Sequence, residues 1–208
     1  MHVFFDIKRM RVMFWMPILV MVLCLLYFMY LTSHQTLDII LALPTFEFLI
    51  VPFSSWWILY LFYDYYEENA LEVLLSYPIT EYEHGFFRIS FFTALYTIAT
   101  LSLIGYIAAF SEAKFTLLLL QYVPQYVFFA SLSFLCMALF RNIGVALTVI
   151  AFYTATEFLT AGQLLPWFHV FYHNQSLLDV HQIASKSVLS LALGLLFIKL
   201  GGYFLKRI

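Results

Sequence analysis

Six long apolar segments constrain the fold of this chain more than any other feature. They run over residues 12–31, 39–63, 86–110, 117–140, 143–165 and 187–205. A helix needs about 20 mostly apolar residues to cross the hydrocarbon core of a bilayer. Only 11% of the residues are charged, against about 25% in a soluble domain. The sequence therefore predicts one all-α integral membrane domain over residues 1–208, with six transmembrane helices in a lipid bilayer.

Lysine and arginine are distributed unequally between the two ends of these segments. With six spans, both termini and the second and fourth connections lie on one side of the membrane. That side receives Lys8, Arg9, Arg11, Arg88, Arg141, Lys199, Lys206 and Arg207. Only Lys114 and Lys186 fall on the opposite side. Because cytoplasmic connections carry the excess of Lys and Arg, we expect both termini to be cytoplasmic.

The connection 64–85, between the second and third spans, is acidic and contains no Lys or Arg. Within it, the apolar residues between Ala70 and Tyr77 share one broad face of a helix that Pro78 would end. Helices that lie on membranes usually carry Lys or Arg on the polar face, and an anionic leaflet repels acids. The pattern therefore favours a cytoplasmic amphipathic helix that docks on a partner protein.

The string EENALEVLLSYPIT, residues 67–80, resembles the connection after the second span of ABC-2 type permeases. These proteins are the membrane subunits of bacterial ABC exporters. Their pattern is an acid, a Gly-Thr pair, then Leu-Glu-x-Leu-Leu-Ser-x-Pro-Ile/Val-Ser/Thr. It is matched at Leu71, Glu72, Leu74, Leu75, Ser76, Pro78, Ile79 and Thr80. Asn69-Ala70 replaces the Gly-Thr pair.

The other segments of the chain follow one another in an order similar to that in ABC-2 type permeases. An interfacial N-terminal helix is expected over residues 1–11, although a simple positive flank of the first span fits the same residues. A long outer or re-entrant connection, residues 166–186, precedes the sixth span. The resemblance implies a multi-pass protein of the bacterial cytoplasmic membrane. It would export a lipophilic, peptide or drug-like substrate.

The resemblance further implies that the amphipathic segment is a coupling helix, which docks on a separate ATP-binding subunit. The residues expected at that contact are Glu68, Leu71, Glu72, Leu74, Leu75, Ser76, Tyr77, Pro78 and Ile79. A dimer of the ATP-binding subunit would hold ATP and Mg, since this chain lacks the Gly-x-x-x-x-Gly-Lys-Ser/Thr phosphate loop. We therefore expect no enzymatic activity and no cofactor in the chain itself. A second permease subunit, identical or related, would complete the pathway.

Two carboxylates fall inside predicted spans. A charged side chain at the centre of a bilayer costs about 3 kcal/mol or more, so it usually faces protein or a water-filled cavity. Glu157, Glu47 and Gln125 are therefore candidates for a substrate pathway. Alternatively, the carboxylates are neutral or hydrogen-bonded to neighbours such as Thr45 or Tyr153, and they fix helix packing. The packing role is favoured for Glu47, and the two roles are balanced for Glu157.

The outer connection contains His169 and His173, whose spacing suits a metal on one helix face. Nearby aromatic residues instead favour a short helix in the outer membrane interface, and no metal site is predicted.

Other classes of protein were weighed against a permease. A non-transporting partner, such as a sensor or scaffold subunit, stays open because no substrate path is visible in the sequence. An intramembrane protease is disfavoured, because His-Glu-x-x-His is absent and Glu72 stands where the CAAX-type pattern has Arg. No basic cluster indicates binding to nucleic acid.

Overall fold

The computed structural model describes residues 3–34, 38–67, 86–111, 113–164, 169–172 and 180–206. The α-helices in this part of the chain are α1 Val3–Met10, α2 Trp15–His34, α3 Ile39–Leu49, α4 Ser54–Glu67, α5 Arg88–Phe110, α6 Phe115–Phe140, α7 Ile143–Thr160 and α8 Val180–Lys206. Within these ranges, six helical stretches are long and apolar enough to cross a membrane, with α3 and α4 forming one of them. The prediction of an all-α fold with six candidate membrane spans is therefore confirmed for the described residues.

The second of these stretches is one span broken near its middle. Pro44 is accommodated inside α3, whereas Pro52 lies in a 3-10 turn, Val51–Phe53, that joins α3 to α4. Proline lacks a backbone N–H and its ring crowds the preceding turn, so carbonyl groups there lose helical partners. The hydroxyl of Tyr96 donates to the carbonyl oxygen of Ile50 at 2.5 Å. The Ile50 carbonyl also accepts from the backbone N–H of Phe53 at 3.1 Å, so a side chain of a neighbouring helix and a backbone N–H both bind at the break.

Two helix boundaries differ from the sequence prediction by five residues or more. The fifth span ends at Thr160 instead of residue 165, because Ala161 adopts a left-handed backbone with φ of 48°. The last helix, α8, begins at Val180 instead of residue 187. Residues 180–186, which the sequence placed in the outer connection, are therefore helical, and Lys186 belongs to the sixth span.

Helix α6 and the α3–α4 stretch form the centre of the bundle. Each is 67% buried over its most apolar part, compared with 22% for the α2 and α7 stretches and 17% for α8. The apolar faces of those three peripheral helices therefore remain for lipid or for another subunit.

Helix α8 lies against α6 through small residues. A β-carbon added at Gly194 would lie 3.0 Å from a methyl carbon of Val127, and one added at Gly201 would lie 2.6 Å from the Phe134 ring. Small residues at such positions let two helices approach closely, which is a common packing device in membranes.

The N-terminal helix α1 is separate from the first span. Arg11 has a left-handed φ of 45°, and a 3-10 turn over Arg11–Phe14 follows. The indole N–H of Trp56 donates to the Met13 carbonyl at 3.0 Å, and that of Trp57 donates to the Phe14 carbonyl at 2.9 Å. The helix within residues 1–11 is therefore present, while its place in the membrane interface stays a prediction.

Candidate functional site

The carboxylate of Glu47, on α3, is the centre of a buried polar cluster. Glu47 is 3% exposed. Its Oε1 accepts hydrogen bonds from the side-chain amides of Gln121 at 2.8 Å and Gln125 at 3.2 Å, both on α6. The backbone N–H of Tyr172 lies 3.1 Å from each carboxylate oxygen. All of these partners are donors, which suits the acceptor-only, ionised carboxylate.

The partner of Glu47 belongs to a short non-helical segment, residues 169–172, that enters the bundle between α7 and α8. The amide of Gln125 donates to the Val170 carbonyl at 2.8 Å. The ring of Phe171 stacks on that of Phe129 with centroids 5.9 Å apart. Non-helical backbone is tolerated at membrane depth only where protein or water supplies its hydrogen bonds. Here Gln125 and Glu47 supply them.

Lys186, on α8, adds a positive charge to the cluster. Its Nζ lies 2.8 Å from Nε2 of His169, so the ammonium donates and the ring nitrogen accepts. The same Nζ lies 4.9 Å from the centre of the Tyr172 ring, within the range of a cation–π contact. Lys186 also interacts electrostatically with Glu47 and Glu157. Lys186 therefore places one positive charge near the two acidic side chains of this part of the bundle.

The phenol of Tyr172 donates to the backbone carbonyl of Ile183, on α8, at 3.2 Å. This hydrogen bond links the segment to α8.

Glu157, on α7, is the second carboxylate of the cluster and is 2% exposed. It interacts with Tyr153, one turn earlier on the same helix, and with Lys186. The three candidates for a substrate pathway, Glu47, Glu157 and Gln125, therefore lie in one neighbourhood.

The sequence singles out the two carboxylates, Gln125 and Tyr153, but it does not show that Glu47 contacts Gln125. The hydroxyl of Thr45, a suggested partner of Glu47, donates to the Leu41 carbonyl of its own helix at 2.8 Å. Gln121, beside Gln125 and Pro124, is a weaker candidate of the same kind in the sequence. Lys186 was missed because the sequence placed it in a loop.

The residues expected to contact an ATP-binding subunit lie outside the described residues, since α4 ends at Glu67 and the description resumes at residue 86. They are Glu68, Leu71, Glu72, Leu74, Leu75, Ser76, Tyr77, Pro78 and Ile79. His173 also lies outside the described residues. Among the residues that the structure does describe, no group of three or more His, Cys, Asp or Glu is placed to hold a metal ion.

No protein-family model, curated protein or solved structure matches this chain. The fold and the site together define a helical, multi-pass membrane protein with a charged cluster buried among its helices.

Proposed function

We propose that the chain is the permease subunit of an ATP-binding cassette exporter of the ABC-2 type. The single observation that carries the proposal is the amphipathic, acidic segment 67–80 between the second and third of six membrane spans. Its sequence resembles the coupling helix of that family, and its acids make a lipid surface an unfavourable partner. A separately encoded ATP-binding dimer would bind ATP and Mg and drive the permease.

The described helices give this segment a mechanical connection to the bundle. Helix α4 leads into the connection and α5 leads out of it. Arg88, in the first turn of α5, pairs with Asp6 of α1. A force applied to the segment would therefore reach α4, α5 and the N-terminal helix together.

A second permease subunit would complete the transport pathway. The peripheral helices α2, α7 and α8 present large apolar faces, and six spans make half of a usual ABC pathway in the family that the sequence resembles. A homodimer and a heterodimer both fit this arrangement. The expected cargo is lipophilic, peptide or drug-like, and the expected location is a bacterial cytoplasmic membrane.

Co-purification tests the proposal. The tagged chain is expressed in its native host and solubilised in mild detergent. Bound proteins are then identified by mass spectrometry, and ATP hydrolysis is measured with Mg. We expect a protein with a Gly-x-x-x-x-Gly-Lys-Ser/Thr loop to be recovered with the wild-type chain. Leu74→Glu should abolish its recovery without removing the chain from the membrane.

A matched control uses the same substitution at the other end of the molecule. Leu164 lies in the turn after α7 and is 64% exposed. Leu164→Glu should leave the co-purification unchanged. If the ATP-binding protein is recovered equally well with the Leu74→Glu variant, the segment 67–80 does not dock on it. Recovery of other membrane proteins without an ATP-binding subunit would favour a scaffold or sensor.

A further inference from the structure

Two buried oxygen atoms near Glu47 have no hydrogen-bond partner among the residues that the structure describes. They are Oε1 of Gln125 and the hydroxyl oxygen of Tyr122, both on α6. Gln125 is 1% exposed, and Tyr122 is fully buried. Buried polar atoms are nearly always paired, and one that finds no partner in the protein indicates a bound water or ion. These two oxygens are therefore expected to contact a small ligand.

Both oxygen atoms belong to the polar cluster around Glu47. The amide nitrogen of Gln125 donates to Oε1 of Glu47 at 3.2 Å and to the Val170 carbonyl at 2.8 Å. Both hydrogens of this amide are therefore used, and its oxygen lies beside them. The ring of Tyr122 packs on that of Phe46, the neighbour of Glu47, with centroids 4.4 Å apart. The Tyr122 phenol also interacts electrostatically with Glu47. A carboxylate and two neutral oxygens thus lie in one buried neighbourhood of α3 and α6.

Carboxylates outnumber ammonium groups in the described part of this cluster. Glu47 and Glu157 both interact electrostatically with one ammonium, that of Lys186. His169 adds no charge at this contact, because its ring nitrogen accepts from the same ammonium.

Helix ends add further negative potential to the cluster. Glu47 lies in the last turn of α3, before the break in the second span, and Glu157 lies in the last turn of α7. The C-terminal end of a helix carries a partial negative charge, and the ends of broken spans coordinate cations in membrane transporters. A positive charge in addition to Lys186 would therefore stabilise this cluster.

We propose that Glu47, Gln125 and Tyr122 bind an alkali-metal cation, Na⁺ or K⁺. The ligand atoms are the carboxylate, the amide oxygen and the phenol oxygen, and Glu157 contributes negative charge. Hard cations prefer oxygen ligands of these kinds, whereas softer metals prefer His and Cys. A single carboxylate among neutral oxygens suits a monovalent ion. The inference goes beyond the proposed function, because the site lies within one chain and needs no ATP-binding subunit.

Thermal unfolding of the purified chain in detergent tests the site. The protein is first dialysed into N-methyl-D-glucamine chloride, whose large organic cation cannot enter a site of this size. NaCl or KCl then replaces that salt at constant ionic strength. A ligand that binds only the folded chain raises its thermal midpoint. We expect Na⁺ or K⁺ to raise the midpoint by about 3 °C or more at about ten times its dissociation constant. The ion with the larger effect is the preferred occupant.

Two variants each remove one proposed ligand. Glu47→Gln removes the charge and should abolish the shift. Tyr122→Phe removes a single oxygen and keeps the ring, so it should weaken the apparent affinity roughly tenfold or more. It decides the matter where Glu47→Gln does not fold. Thr45→Val is the matched control on α3, because the Thr45 hydroxyl donates to the Leu41 carbonyl of its own helix, and it should keep the parent shift.

A third variant separates a bound ion from a general effect of salt. Lys186→Met removes the ammonium that interacts with Glu47. An alkali cation in the cluster would then meet less repulsion, so its apparent affinity should rise roughly tenfold or more. An unchanged affinity would place the ion outside this cluster.

Equal thermal midpoints of the parent chain in Na⁺, K⁺ and N-methyl-D-glucamine would overturn the proposal. A shift that persists unchanged in both Glu47→Gln and Tyr122→Phe would overturn it as well. A midpoint that responds to pH and to neither ion would assign the additional positive charge to a proton and exclude the cation. None of these results bears on the permease proposal, which the co-purification decides.

Discussion

Asp6 and Arg88 form an ion pair across 82 positions of sequence. The guanidinium Nε of Arg88 lies 3.0 Å from Oδ2 of Asp6, and a terminal nitrogen of the same group contacts Oδ1. Asp6 is only 7% exposed. This bidentate contact fixes the N-terminal helix α1 to the first turn of α5, where the connection 64–85 re-enters the bundle.

Removing Asp6 should destabilise the protein, because Arg88 then loses its bidentate partner in a largely buried setting. We expect Asp6→Ala to lower the free energy of unfolding by about 3 kcal/mol, measured by reversible detergent unfolding. Lys8→Ala is the control on the same helix, since Lys8 is exposed, and it should cost less than about 0.5 kcal/mol. The double variant Asp6→Ala/Arg88→Ala should cost less than the sum of the singles. Strict additivity would show that the two residues are not energetically coupled.

Adjacent glycines in α8 should respond differently to the same substitution. A β-carbon at Gly201 would lie 2.6 Å from the Phe134 ring, whereas one at Gly202 meets nothing within 4 Å. We expect Gly201→Ala to cost about 1 to 3 kcal/mol because α8 must move away from α6. Gly202→Ala should be neutral, or stabilising by up to about 1 kcal/mol, because alanine favours helix. Equal thermal midpoints for the two variants would contradict the close packing of α8 on α6.

Glycine at position 161 should stabilise the C-terminal end of α7. Ala161 caps this helix in a left-handed conformation with φ of 48°, which strains a residue that has a β-carbon. Ala161→Gly should raise the free energy of unfolding by about 0.5 to 1 kcal/mol after the greater freedom of unfolded glycine is included. Ala151→Gly, at an exposed position inside the same helix, should lower it by about 1 kcal/mol. Changes of the same sign would argue against a helix end at this residue.

Apolar length was sufficient to predict the six spans, because a membrane-crossing helix must satisfy its backbone within about 20 apolar residues. Apolar length did not predict the residue at which α8 begins. The stretch from Val180 to Lys186 contains polar residues, so it was assigned to the outer connection, yet it continues the helix. A helix can extend beyond its apolar part where its polar residues meet the rest of the protein, as Lys186 does at His169.

The buried polar cluster around Glu47 shows the same limit of sequence-based prediction for single residues. Glu47 and Glu157 could be identified because a carboxylate inside a span is costly. The pairing of Glu47 with Gln121 and Tyr172 could not be predicted, since Gln121 is 74 positions away and Tyr172 is 125 positions away. Tyr172 contributes its backbone N–H, a group that every residue except proline has, so no sequence pattern distinguishes it.

Photo-cross-linking from position 75 tests most directly whether the acidic connection docks on an ATP-binding subunit. Leu75 lies on the apolar face of the segment that the sequence predicts to be a helix. A photoreactive phenylalanine analogue is introduced there in the native host, and position 164 serves as the control. We predict an adduct from position 75, and none from position 164, with a protein that carries a nucleotide-binding phosphate loop. Adducts confined to lipid or to other proteins, or equal adducts from both positions, would contradict assignment of the chain as an ABC permease subunit.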